Sequence, residues 1–420
     1  MFLNEYKKLT SAHKRIFAFT WAGWVFDFYD LLLFSFLLIP IGQEFSLSSM
    51  ELAFVMGASL LATAVGGVIF GALSDRFGRK SVLQWTIVIY SIGTFALLFS
   101  TSVIWLLACR IVTGLGVGGE WAAGQTYIAE TFPAEERGRY GSLMQTGAPV
   151  GMILAALVGG MLSPVIGWRE CCALSIIPAL MVVAIRKYLP ESDVWEESRG
   201  GRGPEMAAHR TGLRDLLAGK YRKIFILALV LSIFGMSAYW FAYSWLPAYL
   251  VGQRHFSLAA SAVWVVIVQS GAFVGYLSFG HVADRLGRRP AFTIYGVIMA
   301  IGLAMVTVGW NLIVPSLALV ILFMLAVGFG TGFFGGFGPL YGELFPTPVR
   351  NMAMGSVFNI ARGVQFVTPV LITLIGSVFG LAAGISLAAV FALLVALWIW
   401  TFPETRGRTI DSVDRGACGN

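Results

Sequence analysis

The chain is poor in charge: 12% of its 420 residues are Asp, Glu, Lys or Arg, about half of the roughly 25% found in an ordinary soluble domain. With 57% hydrophobic residues, that scarcity excludes a soluble globule and makes lipid the solvent for most of the chain. Cysteine is nearly absent. Cys109, Cys171, Cys172 and Cys418 lack metal-ligand spacing and adjacent cysteines seldom pair, so they are expected as buried apolar filler. His13, His209, His255 and His281 all fall in loops or at helix ends, and none is a strong candidate for chemistry. Gly114-x-Gly116-x-x-Gly119 satisfies the dinucleotide fingerprint, but no strand precedes it. Inside an apolar run these glycines, with Gly114 and Gly118 in G-x-x-x-G spacing, serve close helix packing, as do Gly328, Gly330, Gly332 and Gly336. No phosphate loop, metal cluster or nucleophile constellation is found, so neither enzymatic chemistry nor a cofactor or metal is expected.

What the chain has instead is long apolar runs, at about 16–41, 51–73, 81–100, 103–128, 140–163, 168–189, 223–251, 258–283, 290–309, 313–340, 351–376 and 379–402. Each is of the length, roughly 20 residues, that crosses a bilayer as a helix. The expected fold is an all-α membrane protein of twelve transmembrane helices in two six-helix halves, 1–190 and 223–420, joined by a cytoplasmic linker at 191–222. In that linker Gly200 to Pro204 should be flexible, and Thr211 to Leu217 has the pattern of a short surface helix.

The net charge of +7 follows topology rather than a nucleic-acid partner. With both termini cytoplasmic, every Lys and Arg except Arg110, Arg169, Arg254 and Arg362 falls on the cytoplasmic side, as the positive-inside rule requires. Lys7, Lys8, Lys14 and Arg15 precede a first apolar stretch too long for a signal-peptide core, so it should remain as an anchor in the cell (inner) membrane.

The halves are copies. Gly71-Ala72-Leu73-Ser74-Asp75-Arg76-Phe77-Gly78-Arg79-Lys80 returns 209 positions later as Gly280-His281-Val282-Ala283-Asp284-Arg285-Leu286-Gly287-Arg288-Arg289. Glu130-Thr131-Phe132-Pro133 with Arg137 returns 213 positions later as Glu343-Leu344-Phe345-Pro346 with Arg350. Two separated landmarks in the same order make chance similarity untenable. In each decapeptide glycine allows close helix approach and a tight turn, while Asp75 and its arginines, joined by Glu130 and Arg137, supply a charge cluster at the membrane surface. Two uses stand open: topological anchoring, or a cytoplasmic gate whose ion pairs form in one conformation and part in another.

Five charged groups fall inside apolar runs: Asp27 and Asp30 in the first, Arg110 and Glu120 in the fourth, Arg362 in the eleventh. At roughly 3 kcal/mol each on insertion scales, such groups must face a polar cavity or one another. Asp27 and Asp30, three apart, share a helix face where repulsion and desolvation favour protonation of at least one, which is a proton site in outline. Glu120 is a further proton candidate. Arg110 and Arg362 can each hold a substrate carboxylate through two parallel hydrogen bonds, or neutralise Asp27 or Asp30 instead. Asn359 and Gln365, each three residues from Arg362, can add neutral hydrogen bonds. Gln145 and Gln269 are amides suited to cavity lining or an interhelical bond, and Tyr239, Trp240 and Tyr243 are suited to stacking on a ring or bonding a hydroxyl, or to aromatic packing.

The repeated G-x-x-x-D-R-x-G-R-[KR] and the E-x-x-P-x-x-x-R element resemble the major facilitator superfamily, over nearly the whole chain. Phe26-Asp27-Phe28-Tyr29-Asp30 resembles the first helix of sialate and lactate proton symporters, and Gly118-Gly119-Glu120-Trp121 with Tyr127-Ile128-Ala129-Glu130 resembles the fourth helix of sialate and metabolite proton symporters. The resemblance implies two halves that rock about a central cavity, flanked by the helices carrying Gln145 and Gln269. It implies a monomer that imports a small organic anion with protons. A proton-coupled exporter of hydrophobic compounds uses the same fold, and Arg362 discriminates, since an exporter of neutral or cationic compounds has little need of intramembrane arginines.

Overall fold

The computed structural model describes residues 10–132, 140, 143–191, 219, 221–345 and 347–406. Among them, twelve helices are long and apolar enough to cross a membrane. We number them α1 (Ser11–Glu44), α2 (Ser49–Gly71), α3 (Arg79–Phe99), α4 (Val103–Glu120), α5 (Gly147–Ile166) and α6 (Trp168–Ile185). After the interval at 192–218, which lies outside the described residues together with the expected surface helix at Thr211 to Leu217, come α7 (Arg222–Gly252), α8 (Leu258–Leu286), α9 (Arg288–Thr307), α10 (Leu317–Leu344), α11 (Met352–Phe379) and α12 (Leu381–Thr401). The described residues contain no strand.

Local sequence starts several of these helices. Thr10 and His13 form a capping box at α1, as do Ser48 and Glu51 at α2, and the hydroxyls of Ser102 and Ser257 accept from the third backbone N–H of α4 and α8. The expected use of glycine for close packing is met in both copies: a Cβ on Gly118 of α4 would collide with the Thr63 carbonyl of α2, and one on Gly328 of α10 with the Val268 carbonyl of α8. Positive φ falls at paired turns, Gly78 (96°) with Gly287 (106°) and Gly167 (101°) with Gly380 (85°).

The first and last six spans meet through α2 with α11 and through α5 with α8. The contact is tight towards the end bearing Ser49 and Leu258. A Cβ on Gly57 would lie 2.5 Å from the Phe366 carbonyl oxygen, and one on Gly160 would run into Ala262. Towards the opposite end, which bears both decapeptides, Gly71, Gly280, Gly338, Gly342 and Gly355 have no neighbour within 4 Å of an added Cβ. Gly252, at the other end, is equally open, and the contact between the halves persists as far as Gly67, one turn before Gly71, which packs against Asn359 of α11.

Gly287 combines its φ of 106° with a ψ of 163°, backbone that only glycine adopts without strain. Gly287→Ala should cost about 1–3 kcal/mol, seen as a lower melting temperature of the detergent-purified protein. Gly280→Ala, in open space, should leave it unchanged.

Candidate functional site

Two interrupted helices shape the centre. α5 and the short helical segment before it are separated at Gln145–Thr146, and α11 is broken at Gln365–Phe366. Each glutamine stands four residues before a proline, Pro149 and Pro369, and the two pairs are 220 positions apart. Proline has no N–H to give the residue four before it. The glutamine carbonyls are taken instead by the residue three ahead, from Ala148 N–H at 3.1 Å and from Thr368 N–H at 3.0 Å. Irregular backbone at this depth is tolerated where protein or a cavity surrounds it.

A narrow cavity, part of it open to solvent, lies beside both breaks. The first six spans line it with Trp24, Phe28, Gln145 and Ala148. The last six contribute Met236, Tyr239, Trp240 and Tyr276, then Phe334, Phe358 and Arg362. Its walls are rings packed edge to face: Tyr239 lies 6.0 Å from Phe28 and 5.6 Å from Phe334, between ring centroids. Arg362 is the one charged residue on that wall among the described residues.

Arg362 is buried, and its Nη2 stands 3.5 Å from Oδ2 of Asp27, itself without exposed surface. The guanidinium carbon sits 5.8 Å from the Trp24 ring and 5.9 Å from the Phe28 ring, so the cation is flanked by aromatic faces. Glu120 of α4 packs against Gly23, one turn from Asp27, within electrostatic reach of Asp27, Asp30 and Arg362. The three intramembrane carboxylates thus converge on the flank of one helix.

Arg110 takes a different course. Its guanidinium donates to the Asp30 and Leu31 carbonyls at 3.2 and 3.4 Å and to Ser59 Oγ at 3.1 Å, and lies over the Phe34 ring. It is held inside the first six spans beside Asp30, away from the cavity wall. Three residues separate Asp27 from Asp30, yet the first faces Arg362 across the cavity's edge and the second faces Arg110.

Of the residues expected to contact substrate, the structure brings Arg362, Gln145 and Tyr239 to the wall. Gln269 instead donates to Met152 Sδ, Tyr243 exchanges a hydrogen bond with Thr331 at 2.9 Å, and Gln365 accepts from Ser237 and Thr368. These are bonds between or within helices that leave little for a ligand. Asn359 is wedged against Gly67 of α2. Sequence reasoning missed Trp24, Phe28, Tyr276, Phe334 and Phe358, whereas Trp240 was read as a ring able to stack on a ligand. The available signal was helical spacing: Trp24 lies three residues before Asp27 and four before Phe28, and Phe358 four before Arg362.

At the basic end, which bears both decapeptides, Arg288 bridges Asp284 and Glu343, each at 2.7 Å, and Thr405 donates to Glu343 at 2.6 Å. Glu404 accepts from the backbone N–H of Arg288 and Arg289 at 2.8 and 3.0 Å, tying the end of α12 to the start of α9. Glu191 does the same for Arg79 and Lys80 at 2.9 and 3.1 Å. Burial raises the Glu404 carboxyl pKa, but the N–H groups of Arg288, Arg289, Arg406 and Thr405 outweigh it and hold the group below the usual carboxylate range. Arg76 and Arg285 are exposed. Arg137 and the side chains of Asp75, Glu130 and Arg350 lie outside the described residues. All these described contacts stay within one set of six spans.

A family model described as Major Facilitator Superfamily matches residues 20–305, and one described as Sugar (and other) transporter matches residues 203–417. The "Probable 4-methylmuconolactone transporter" of Cupriavidus pinatubonensis is 32% identical over 97% of this chain and 94% of its own. A sialic acid transporter of Escherichia coli is 27% identical over 84% and 85%. The xylose transporter from E. coli, solved in a partially occluded inward-open conformation, superposes with a TM-score of 0.76 at 22% identity, over 95% of this chain and 100% of that one. At that identity the likeness shows the fold alone. These families and relatives are transporters, not enzymes.

Two measurements check the site. Arg362→Gln leaves the buried Asp27 without its cation and should cost about 3–5 kcal/mol, whereas Asp27→Asn with Arg362→Gln should restore much of it; additive losses in thermal melts would show that the two are not paired. Glu404, with its lowered pKa, contributes stability that is complete above the ordinary carboxyl value of 4.5 and is lost as pH falls through the lower one. Glu404→Gln should therefore melt with a shallower decline than the parent on acidification below that value.

Proposed function

Because the chain belongs to the Major Facilitator Superfamily, we propose that it is a secondary active importer carrying a small organic anion together with protons by alternating access. The cargoes named for its relatives, 4-methylmuconolactone and sialic acid, are small organic metabolites. The observation that carries the reading is the buried Asp27–Arg362 pair at the edge of the central cavity, 3.5 Å apart. We place the basic end and both termini in the cytoplasm of a cell whose inner membrane the chain spans, since the other end carries only Arg169, held by Glu44, and Arg254, held by Tyr249 and Thr307. We take the open space at Gly71, Gly280, Gly342 and Gly355 as the cytoplasmic mouth of a carrier acting as a monomer.

Coupling follows from charge balance. In the empty carrier ionised Asp27 neutralises Arg362. In the loaded carrier a proton neutralises Asp27 and the anion takes its place on the guanidinium. Both states present no net charge when the halves close over the site. A carrier holding only the proton or only the anion buries one uncompensated charge, at a cost of several kcal/mol, and reorients poorly. Glu120 and Asp30 bias the same equilibrium by repulsion with Asp27. For a monoanion and one proton the moved charge cancels, and each unit of pH gradient supplies about 1.4 kcal/mol. Gln145 and Tyr239 line the bound anion; Arg110, Gln269, Tyr243, Asn359 and Gln365 act by fixing the helices around it. The charged cluster of Asp284, Arg288 and Glu343 clasps its half at the cytoplasmic gate, a role we extend to the gate assigned around the first decapeptide.

The aromatic wall would also receive a neutral hydrophobic compound for export, and Arg362 is what favours the anion. In proteoliposomes, Asp27→Asn should lose accumulation of a radiolabelled carboxylate under an inward proton gradient while keeping most of its exchange across the membrane. Asp30→Asn, away from the wall, should lose less. Normal accumulation by Asp27→Asn, or unaltered anion binding by Arg362→Ala, would overturn the proposal.

A further inference from the structure

The cavity's chemistry narrows the anion further, on the premise that the chain is an anion carrier. Its wall carries a single cation, and among its remaining polar groups two are buried without a hydrogen-bond partner: the indole N–H of Trp24 and the amide oxygen of Gln145. Both terminal nitrogens of Arg362 are likewise without a hydrogen bond, for the 3.5 Å approach of Asp27 is an ion pair only. The Trp24 ring lies 5.8 Å from the guanidinium carbon, so the indole donor and the guanidinium donors stand on neighbouring parts of one wall. Two such donors match the two oxygens of one carboxylate. A second carboxylate would find no second cation on this wall.

Beyond those donors the surface is rings. Phe28, Tyr239, Trp240 and Phe334 present edges and faces at centroid spacings of 5.5–6.0 Å around Tyr239. Such walls gain from a flat π-system through edge-to-face contact beyond the area it buries. The rings give nothing to a hydroxyl and the free Gln145 amide oxygen can accept from one only, so most hydroxyls of a polyhydroxylated cargo stay unpaired, and each costs affinity roughly ten-fold. The Tyr239 hydroxyl is directed to Met152 Sδ, at 3.8 Å, rather than offered to a ligand.

We propose that the cargo is a monocarboxylate on a flat, unsaturated or aromatic body, its carboxylate held between Arg362 and the Trp24 indole N–H and its body clasped by the ring wall. A polyhydroxylated sugar acid is a poor match for the same wall. Trp24 is thereby a specificity-determining residue.

Benzoate and cyclohexanecarboxylate test this, being alike in charge and carbon count and different in planarity. The full chain, reconstituted in vesicles, is assayed by exchange of radiolabelled benzoate against unlabelled benzoate, cyclohexanecarboxylate, lactate and N-acetylneuraminate. Benzoate should half-saturate at a concentration at least ten-fold below the other three. Trp24→Phe, which keeps the ring and removes the donor, should raise the benzoate value roughly ten-fold with the melting temperature unchanged. Equal competition by cyclohexanecarboxylate, stronger competition by N-acetylneuraminate, or an unaltered Trp24→Phe would each overturn the inference and leave anion import standing. If labelled benzoate, lactate and N-acetylneuraminate, each assayed in turn, all fail to exchange, the anion-carrier reading falls with it.

Discussion

Neither Asp27 nor Arg362 is able to stay ionised in a low-dielectric bundle unless the other is near. Both are buried, and every other group on the cavity wall is neutral. Their 3.5 Å separation joins α1, in the first six spans, to α11, in the last six, so the neutrality of the centre depends on two parts of the chain more than 300 residues apart in sequence. Ionised side chains in hydrocarbon are tolerated on condition that something opposite in sign is always within reach. A proton and an anion meet that condition as well as a fixed partner does, and the exchange of one solution for the other is what a coupled carrier requires.

The surrounding architecture serves to hold those two groups at the edge of a space rather than in a packed core. The break at Gln365 interrupts α11 and the one at Gln145 parts α5 from the helical segment before it; in each, the proline leaves the glutamine carbonyl without its usual donor and the N–H three residues ahead takes it. Close contacts such as Gly118 with Thr63 and Gly328 with Val268 bind each half into a unit that can move as one body. Glu191 and Glu404 tie the last helix of each half to the start of its third, adding stiffness at the basic end.

Much of this was legible in the sequence, because hydropathy and repetition are one-dimensional signals. The twelve spans, the duplicated decapeptide and the five charges within apolar runs are all set by composition along the chain. What was not legible depends on direction. Asp27 and Asp30, three residues apart on one helix, take different partners because α4 and α11 approach that helix from different sides. For Arg110 the sequence left substrate contact and neutralisation of an aspartate equally open, and backbone carbonyls of α1 and Ser59 absorb it. The aromatic wall was hidden by abundance: in a chain with 32 phenylalanines, 13 tyrosines and 13 tryptophans, no single ring stands out until helices are placed around a space. The paired Gln-x-x-x-Pro breaks, by contrast, were readable as a third landmark of the duplication and explain why α5 begins at Gly147 rather than near 140.

The duplication also leaves an asymmetry that bears on coupling. Asp27, Asp30, Arg110 and Glu120 belong to the first half, and Arg362 stands alone in the second. When two rigid bodies rock about an axis near the middle of a membrane, separations at their ends change by the most and those near the axis by the least. Ion pairs placed between the ends would track which side is open, whereas a pair near the axis can persist in either state and track only what is bound. In the proposed cycle Asp27 with Arg362 is a pair of the second kind, set between the contact of Gly57 with Phe366 towards one end and Gly71 and Gly355, in open space, towards the other. Under that proposal a charge-balance rule enforced there applies equally on both sides of the membrane, which is the condition for a gradient of protons to move a second solute rather than merely leak.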